Sequence, residues 1–289
     1  MQTKKLSLED RNTIADRLNA IDIHLAEFCF PNLYFFREVH RYEIIELDDV
    51  TLVGGVSYDN KRYLMPLHSP SEDPKPCLEH ISDFLKETDY DCIFPIPEEW
   101  LGCFPEEKFE RTYNENDSDY LFLTEKMADY PGKKMHKKRN LKNQFLKAYE
   151  AESRELNEET LPDALKLLEI WQNASTHMLE TNDYGPCKEA LEDREGFGLS
   201  GRVFYADGQP AGFVLGEPLN PSTFTIHFAK ADIQFKGIYA YMFSEISAQL
   251  KDQYEYINME QDLGKDGLRQ TKRSYRPDLM AHKYRIEVK

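Results

Sequence analysis

Two patterns of apolar residues alternate along the chain. Apolar side chains that recur every three or four positions predict amphipathic helices, and short runs of β-branched and aromatic residues bounded by turn residues predict strands. Helices are predicted near residues 8–25, 78–86, 161–171 and 239–250. Strands are predicted at 42–47, 50–56, 62–67, 92–96, 120–123, 203–206, 210–215, 223–229 and 256–260. This mixture, with hairpins between neighbouring strands, predicts an α/β (α+β) fold with mixed, mostly antiparallel sheets.

The length of 289 residues exceeds that of a typical single core and favours two domains. Each half opens with a capped amphipathic helix and continues into strands, which indicates an internal duplication. We therefore predict a first domain at 1–150 and a second at 151–289. The loop at 181–201 carries four glycines. It fits either a mobile flap over an active site or a longer surface connection.

A cationic segment near the middle of the chain departs from the overall charge. Residues 133–147 hold seven Lys or Arg and no Asp or Glu, although the whole chain has a formal net charge of −16. Its Leu141, Phe145 and Tyr149 fall on one side of a helix, so we expect the segment to close the first domain with that face packed and the cationic face exposed. Such a face is either solvated or a binding surface for an anion. The anion-binding candidates are Lys137, Lys138, Arg139 and Asn140.

Composition removes several classes of protein from consideration. The start of the chain lacks the apolar run of a signal peptide, and charged residues or prolines interrupt every later apolar run. We therefore expect a cytoplasmic protein without an integral membrane segment. The five cysteines include no CxxC pair, which favours reduced thiols and gives no pattern for a metal site. The acidic overall balance argues against a DNA-binding protein.

A glycine turn precedes the helix predicted at 239–250. Gln234 and Gly237 lie in this turn, and a helix N-terminus after a glycine turn can bind a phosphate or carboxylate through backbone N–H groups. The order of elements and this loop resemble the GNAT acyltransferase fold, where a Q-x-x-G-x-G/A loop holds the pyrophosphate of coenzyme A. Tyr239 stands where the second small residue belongs, so its bulk disfavours coenzyme A.

Two longer blocks resemble the family related to the C-terminal domain of phosphatidylglycerol lysyltransferases. The first comprises Asp117-Ser118-Asp119-Tyr120, Gly132-Lys133-Lys134, His136 and Lys138-Arg139-Asn140. The second comprises residues 258–264, Gly267-Leu268-Arg269, Lys272, Ser274-Tyr275 and Pro277. The resemblance covers most of the chain and implies two tandem GNAT-like domains, as in the Fem-type aminoacyltransferases. Better-known relatives use aminoacyl-tRNA and not coenzyme A as the donor, which implies tRNA as a partner and makes coenzyme A the less favoured cofactor.

The second block carries residues suited to such a transfer. Glu260 and Asp262 lie at the C-terminal end of the strand predicted at 256–260, and either carboxylate could take a proton from an acceptor amine. Asn258 lies on the same face of that strand. Arg269 and Lys272 lie on a predicted short helix and could hold a phosphate or a developing oxyanion. Tyr275 could give a proton to the leaving hydroxyl. Structural ion pairs are the alternative interpretation of these residues.

We therefore hypothesise an acyltransferase or aminoacyltransferase with its site in the second domain. The catalytic candidates are Glu260, Asp262 and Tyr275, and the donor-binding candidates are Lys137, Lys138, Arg139, Asn140, Gly237, Tyr239, Asn258, Arg269 and Lys272. Two alternatives stay open. One is a non-catalytic GNAT-like protein that binds a small anionic metabolite, and the other is a coenzyme A-dependent N-acetyltransferase.

Overall fold

A computed structural model of the chain describes residues 2–47, 50–69, 75–174 and 183–289. The helices are α1 Arg11–Asn19, α2 Phe30–Phe35, α3 Arg37–His40, α4 Lys75–Glu87, α5 Thr124–Asp129, α6 His136–Ala148, α7 Leu161–Ala174, α8 Tyr184–Glu192, α9 Arg194–Phe197, α10 Ile238–Leu250 and α11 Asp266–Ser274. The strands are β1 Gln2–Lys5, β2 Glu43–Leu47, β3 Val50–Val56, β4 Arg62–Pro66, β5 Cys92–Pro97, β6 Phe109–Tyr113, β7 Asp119–Leu123, β8 Ala151–Glu155, β9 Ser200–Ala206, β10 Gln209–Asn220, β11 Thr223–Ala231, β12 Tyr256–Asn258, β13 Leu279–Ala281 and β14 Lys283–Val288.

The strands form two seven-stranded sheets with the same internal pattern. The first has the order β1-β2-β3-β4-β5-β14-β6, and the second, taken from the other edge, has the order β8-β9-β10-β11-β12-β7-β13. In each sheet the fourth and fifth strands pair in parallel, β4 with β5 and β11 with β12. The repeated pattern agrees with an internal duplication, and it confirms the predicted mixed, mostly antiparallel architecture.

The two halves of the chain exchange one strand each. The sixth strand of the first sheet is β14, from the C-terminus, whereas the sixth strand of the second sheet is β7, from the first half. The chain accordingly divides into two compact units. The first comprises Met1–Asp119, Gln261–Lys265 and Met280–Lys289, and the second comprises Tyr120–Glu260 and Asp266–Leu279. These bounds differ from the predicted division at residue 150. The second unit begins at Tyr120 in β7, so the basic helix that follows lies in the second unit.

The core of the first unit lies along the central strands of its sheet. Leu52, Leu64, Ile93 and Ile96 on β3, β4 and β5 are at most 1% exposed. These strands are apolar on both faces, which is typical of the buried interior of a sheet. Their burial therefore accounts for the near-continuous apolar runs in the sequence.

The basic helix α6 belongs to the second unit. Phe145 is fully buried and stacks on Tyr241 of α10 with ring centroids 4.9 Å apart. Tyr149, directly after the helix, contacts Phe235 edge to face at 5.4 Å. The predicted apolar face of the helix is thus the packed face, but its partner is α10 and not the first sheet. The segment therefore belongs to the helical layer of the second unit and does not close the first.

The glycine-rich segment predicted as a flap or a long connection contains regular structure. Within residues 183–201 the chain forms α8, α9 and the start of β9, and Cys187, Ala190 and Leu191 of α8 are fully buried. Gly198 supplies a left-handed residue, with φ of 69°, at the end of α9. The earlier part of the predicted flap, up to residue 182, lies outside the described residues.

Candidate functional site

A buried histidine lies between two glutamates on one face of the second sheet. His227 is on β11, Glu217 is on the neighbouring β10, and Glu260 follows β12. The Nε2 atom of His227 lies 2.9 Å from Glu217 Oε1, and its Nδ1 atom lies 2.8 Å from Glu260 Oε1. The histidine side chain is 1% exposed, and the glutamate side chains are 12% and 18% exposed. The carboxylates are therefore partly accessible while the ring between them is enclosed.

The two contacts fix the protonation of the group. An ionised carboxylate only accepts hydrogen bonds, so a ring nitrogen facing it must carry a proton. With a carboxylate at each nitrogen, the arrangement is satisfied by an imidazolium that donates from both nitrogens. A neutral ring would require one of the two glutamates to be protonated instead.

The backbone of Glu260 is held in an uncommon conformation. Its φ is 58°, in the left-handed region that residues other than glycine, asparagine and aspartate rarely adopt. The fully buried side chain of Asn258 accepts the backbone N–H of Glu260 at 2.6 Å and supports this turn. Such strain costs on the order of 1–3 kcal/mol and often occurs at functional sites. Here it turns Glu260 away from the strand and onto His227.

Tyr275 forms a buried aromatic centre at the end of α11. It is 2% exposed, and its ring packs edge to face on Phe122 and Phe243. Burial, with a smaller effect from Tyr239, raises the pKa of Tyr275 well above its ordinary value. The phenol therefore keeps its proton at neutral pH, but its burial favours a role in packing over the predicted delivery of a proton to a leaving group.

Lys138 links the basic helix to this centre. Its Nζ atom lies 3.5 Å from the centroid of the Tyr275 ring, which is a close cation–π contact. Burial lowers the pKa of Lys138 to about 8, because the ammonium loses part of its hydration. The basic helix and the second block therefore contact each other within the second unit.

The neighbouring residues of the basic helix divide into structural and exposed groups. Arg139 donates to the carbonyl oxygens of Tyr130 and Gly132, which closes the turn before the helix. The side-chain amide of Asn140 lies 3.2 Å from the ring of His136. Lys137 is exposed and has no ion pair among the described residues. Of the predicted anion ligands on this helix, Lys137 therefore carries an exposed charge, whereas the ammonium of Lys138 is partly buried against Tyr275.

The two cationic segments meet at an open groove in the second unit. Lys134, just before α6, lines a depression of about 520 Å³ together with Arg273, Arg276 and Pro277. Among the residues that the structure describes, none that lines this groove is acidic. Three positive charges around one concave surface favour a polyanion, because each charge that binds a phosphate releases a counterion.

The helix α11 contributes one residue to the turn at Glu260 and another to the cationic groove. Lys272 donates from Nζ to the carbonyl oxygen of Glu260 at 3.1 Å. Arg273, the next residue, lines the cationic groove, and Arg269 is partly exposed one turn earlier. The helix therefore connects the strained turn at Glu260 with the groove.

Gly237 and Asp262 have structural explanations. Gly237 has a φ of 93°, and a Cβ atom there would lie 2.3 Å from the carbonyl oxygen of Leu141 in α6. The glycine is thus needed for the close approach of α6 to α10, and burial raises the pKa of the nearby Tyr239 to about 12. Asp262 is fully buried in the first unit, where its Oδ1 accepts the N–H of Gly264 at 2.8 Å. It lies in a different unit from Glu260.

Sequence reasoning missed a second charged cluster, in the first unit. Lys283 on β14 is fully buried and donates to Glu27 at 2.6 Å, Asp119 at 2.6 Å and Gln261 at 3.0 Å. Two positions further along the strand, Arg285 donates to Asp59 and Asp117. The two acids of the motif Asp117-Ser118-Asp119-Tyr120 therefore each pair with a cation of β14.

Glu27 titrates near neutrality chiefly because its carboxyl group is buried. Burial, opposed by the charge of Lys283, raises the pKa of Glu27 to about 7, and its buried Oε2 atom has no hydrogen-bond partner among the described residues. Asp119 instead accepts both Lys283 and the N–H of Ala26 at 2.8 Å. At neutral pH the cluster is thus close to gaining or losing a proton.

We expect this proton to make the stability of the protein depend on pH. The pKa of Glu27 is higher in the folded chain than its ordinary value of 4.5, so between these values the folded state holds a proton that the unfolded state has lost. Its contribution to stability is therefore present at low pH and is lost as the pH rises through about 7. Urea unfolding at pH 5.5 and 8.0 should show a loss on the order of 1–3 kcal/mol that Glu27→Gln reduces.

The matched control for this measurement is Glu99→Gln, which removes an exposed carboxylate of the same unit. It should leave the difference between the two pH values as in the unchanged protein. An equal difference in the unchanged protein and in Glu27→Gln would contradict the prediction.

Comparisons with known proteins identify first the class of fold and then the family. The two sheets and their flanking helices define the GNAT class of fold, and an acetyltransferase of the GNAT family from Colwellia psychrerythraea aligns over all of both chains with a TM-score of 0.54 and 10% identity. A family model described as "Phosphatidylglycerol lysyltransferase, C-terminal" matches residues 19–287, so the chain belongs to this family. The structure of L-PGS from Bacillus licheniformis is similar over 96% of this chain and 91% of that one, with a TM-score of 0.63 and 15% identity.

A conserved protein of unknown function from Bacteroides thetaiotaomicron VPI-5482 is also similar. Its crystal structure covers all of both chains with a TM-score of 0.88 and 27% identity. The match extends over both units and shows that the two-unit architecture occurs as a whole in another protein. Among the described helices of this chain, none is both long enough and apolar enough to cross a membrane.

Proposed function

We propose that the protein is an aminoacyltransferase that takes an aminoacyl group from an aminoacyl-tRNA and passes it to an amine or hydroxyl acceptor. The observation that carries the proposal is the cationic groove of Lys134, Arg273 and Arg276, which adjoins the same short helix as the turn at Glu260. Family membership supports a transfer of this kind, since the family is described by a lysyltransferase. A chain with a net charge of −16 that concentrates cations at one groove is suited to local binding of a polyanion.

In the proposed reaction, Glu260 is the base. Its carboxylate takes a proton from the acceptor nitrogen or oxygen as that atom attacks the ester carbonyl of the donor. The new bond to the carbonyl carbon forms, the ester bond to the ribose oxygen breaks, and the proton returns from Glu260 to that leaving oxygen. Lys272, which is bonded to the Glu260 backbone, supplies positive charge near the developing oxyanion.

The groove residues would hold the donor by its phosphates. Lys137 adds an exposed charge on the same helix as the partly buried ammonium of Lys138, and we propose both as donor ligands together with Arg269. Because Leu141 closes the approach to Gly237, the proposal places no ligand at the N-terminus of α10. The same closure argues against a coenzyme A-dependent reaction. We place the reaction in the cytoplasm, where aminoacyl-tRNA is found.

Charge reversal in the groove is expected to abolish tRNA binding at moderate salt. The combined variant Lys134→Glu, Arg273→Glu and Arg276→Glu should weaken binding more than tenfold, because it removes three cations that would bind phosphates and adds repulsion. The slope of log affinity against log salt should fall by about one for each of these cations. Gel-shift titration with aminoacyl-tRNA at 50 and 200 mM salt measures both quantities. Arg139 is left unchanged, since its substitution would disturb the turn that it closes.

The matched control reverses three exposed lysines of the same unit that lie outside the groove, Lys166, Lys188 and Lys251. It changes the net charge by the same amount and should weaken binding far less. Equal weakening by both triple variants would show that only the overall charge matters. If the unchanged protein binds a phosphorylated metabolite in a thermal-shift assay but no tRNA at low salt, the small-ligand alternative replaces the proposal.

A further inference from the structure

His227 on β11 of the second unit has a glutamate carboxylate at each of its ring nitrogens. The ring is enclosed, yet both neighbours are carboxylates that reach solvent in part. A structural histidine is commonly satisfied by a backbone carbonyl or a single side chain. Two carboxylates on one ring are a more costly arrangement, because desolvating three ionisable groups together requires strong mutual interactions.

We propose that His227 is a positioning residue: as an imidazolium clamped by Glu217 and Glu260, it keeps the Glu260 carboxylate ionised and oriented as the base of the transfer reaction. This inference rests on the proposed function above. It assigns separate tasks to the three side chains. Glu217 stabilises the charge of His227, His227 stabilises the charge of Glu260, and only Glu260 contacts the acceptor.

The distances determine which effect dominates at Glu260. The Nδ1 atom of His227 lies 2.8 Å from the Glu260 carboxylate, whereas Glu217 contacts the other ring nitrogen and is therefore farther from Glu260. The attraction of the adjacent cation therefore exceeds the repulsion of the more distant anion. A second cation near Glu260 is Lys272, whose Nζ atom donates a hydrogen bond to the backbone carbonyl oxygen of Glu260. Loss of the imidazolium charge should consequently make Glu260 easier to protonate.

The backbone supports the orientation part of the proposal. Asn258 accepts the N–H of Glu260, Lys272 donates to its carbonyl oxygen, and φ is 58°. With both backbone groups fixed in a strained turn, the contact from His227 Nδ1 to Oε1 fixes one end of the side chain as well. A base held in this way loses little conformational freedom when the acceptor arrives.

Two measurements test the inference. The ¹⁵N chemical shifts of the imidazole rings in the full chain report the protonation of each nitrogen, and His227→Gln identifies the signals of His227. We expect both nitrogens of His227 to carry protons at pH 7, and we expect Glu217→Gln to lower its pKa. A neutral His227 at pH 7 in the unchanged protein would overturn the inference.

The second measurement is the pH dependence of transfer from aminoacyl-tRNA. Removing an adjacent opposite charge commonly raises the pKa of a carboxyl group by 1–3 units. The acid limb of the profile should therefore move upward by about 1 unit or more in His227→Gln, and kcat should fall more below pH 7 than above pH 8. A purely structural histidine would change the overall rate without moving the limb, and an unmoved limb in a folded His227→Gln would overturn the inference.

The controls separate this inference from the proposed function. Glu159→Gln removes an exposed carboxylate of the same unit and should leave the profile unchanged. If the unchanged protein transfers no aminoacyl group to any amine or hydroxyl acceptor, the proposed function fails and the role of His227 fails with it. If the unchanged protein is active and only the shift of the acid limb is missing, the proposed function stands and the inference alone is wrong. Glu217→Gln provides a second variant should His227→Gln not fold.

Discussion

Replacing Lys283 by methionine is expected to lower the free energy of unfolding by about 3–5 kcal/mol. The lysine is fully buried and is the shared partner of Glu27 and Asp119. Methionine fills much of the same volume but leaves two carboxyl groups without a counter-charge, and removing one partner of a buried ion pair commonly costs this amount. Urea unfolding at pH 7 measures the effect.

A matched variant and a rescue distinguish this cause from a general loss of packing. Lys61→Met removes a lysine from the exposed pair with Glu287, where the expected loss is about 0–1 kcal/mol. Combining Lys283→Met with Glu27→Gln and Asp119→Asn removes the unpaired charges and should restore part of the stability. If the combined variant is no more stable than Lys283→Met alone, then the buried carboxylates are not the cause of the loss.

The cluster around Lys283 also shows why β14 escaped sequence analysis. Lys283 and Arg285 occupy the positions that a pattern of alternation assigns to solvent, so the sequence gave no sign that both cations are buried in the sheet. Their partners are 164 and 256 residues away for Lys283, and 168 and 226 residues away for Arg285. No local pattern contains that information. The acids of Asp117-Ser118-Asp119-Tyr120 were recognised as a motif, but their partners could be found only in three dimensions.

Segments governed by local patterns were predicted well. The hairpin around Asp207-Gly208 and the helix α10 occur within a few residues of their predicted bounds. The edge strand β1 was missed because its sequence, QTKK, has no apolar alternation and it pairs with β2 through backbone hydrogen bonds. The exchange of β7 and β14 was also beyond prediction, since strand order depends on contacts between distant segments.

In the candidate site, too, local sequence identified some residues, whereas others depended on contacts between distant segments. Glu260 and the basic helix were singled out from local sequence, and the structure gives Glu260 a strained turn with His227 and Asn258 bonded to it. Glu217 was missed because a single glutamate in a strand resembles an ordinary exposed position. His227 was visible on the polar face of its strand, but only the tertiary structure shows that both ring nitrogens face carboxylates. Its role therefore could not be inferred from alternation.

Replacing Glu260 by glutamine is expected to lower kcat for aminoacyl transfer by about 10²- to 10⁴-fold, which is the usual contribution of a general base. Glutamine keeps the size of the side chain, and its carbonyl oxygen can still accept the hydrogen bond from His227 Nδ1. Binding of the donor should change little, because the groove of Lys134, Arg273 and Arg276 is untouched. The expected result is therefore a loss in kcat with the affinity for aminoacyl-tRNA preserved in the gel-shift titration.

The pattern of the two readouts decides between a base and a structural acid. If Glu260 only stabilised the turn, Glu260→Gln would lower the melting temperature and the tRNA affinity together while the rate per folded molecule stayed within about threefold. The control variant Glu159→Gln, which changes an exposed carboxylate, measures how far the rate, the melting temperature and the affinity change without any change at the site. If Glu260 is the base, Glu260→Gln leaves the melting temperature and the tRNA affinity unchanged. The acid limb of the pH profile is then lost, because the group that titrates there is gone. That combination would assign the proton transfer to Glu260 and leave Asp262 with the structural role of accepting the N–H of Gly264.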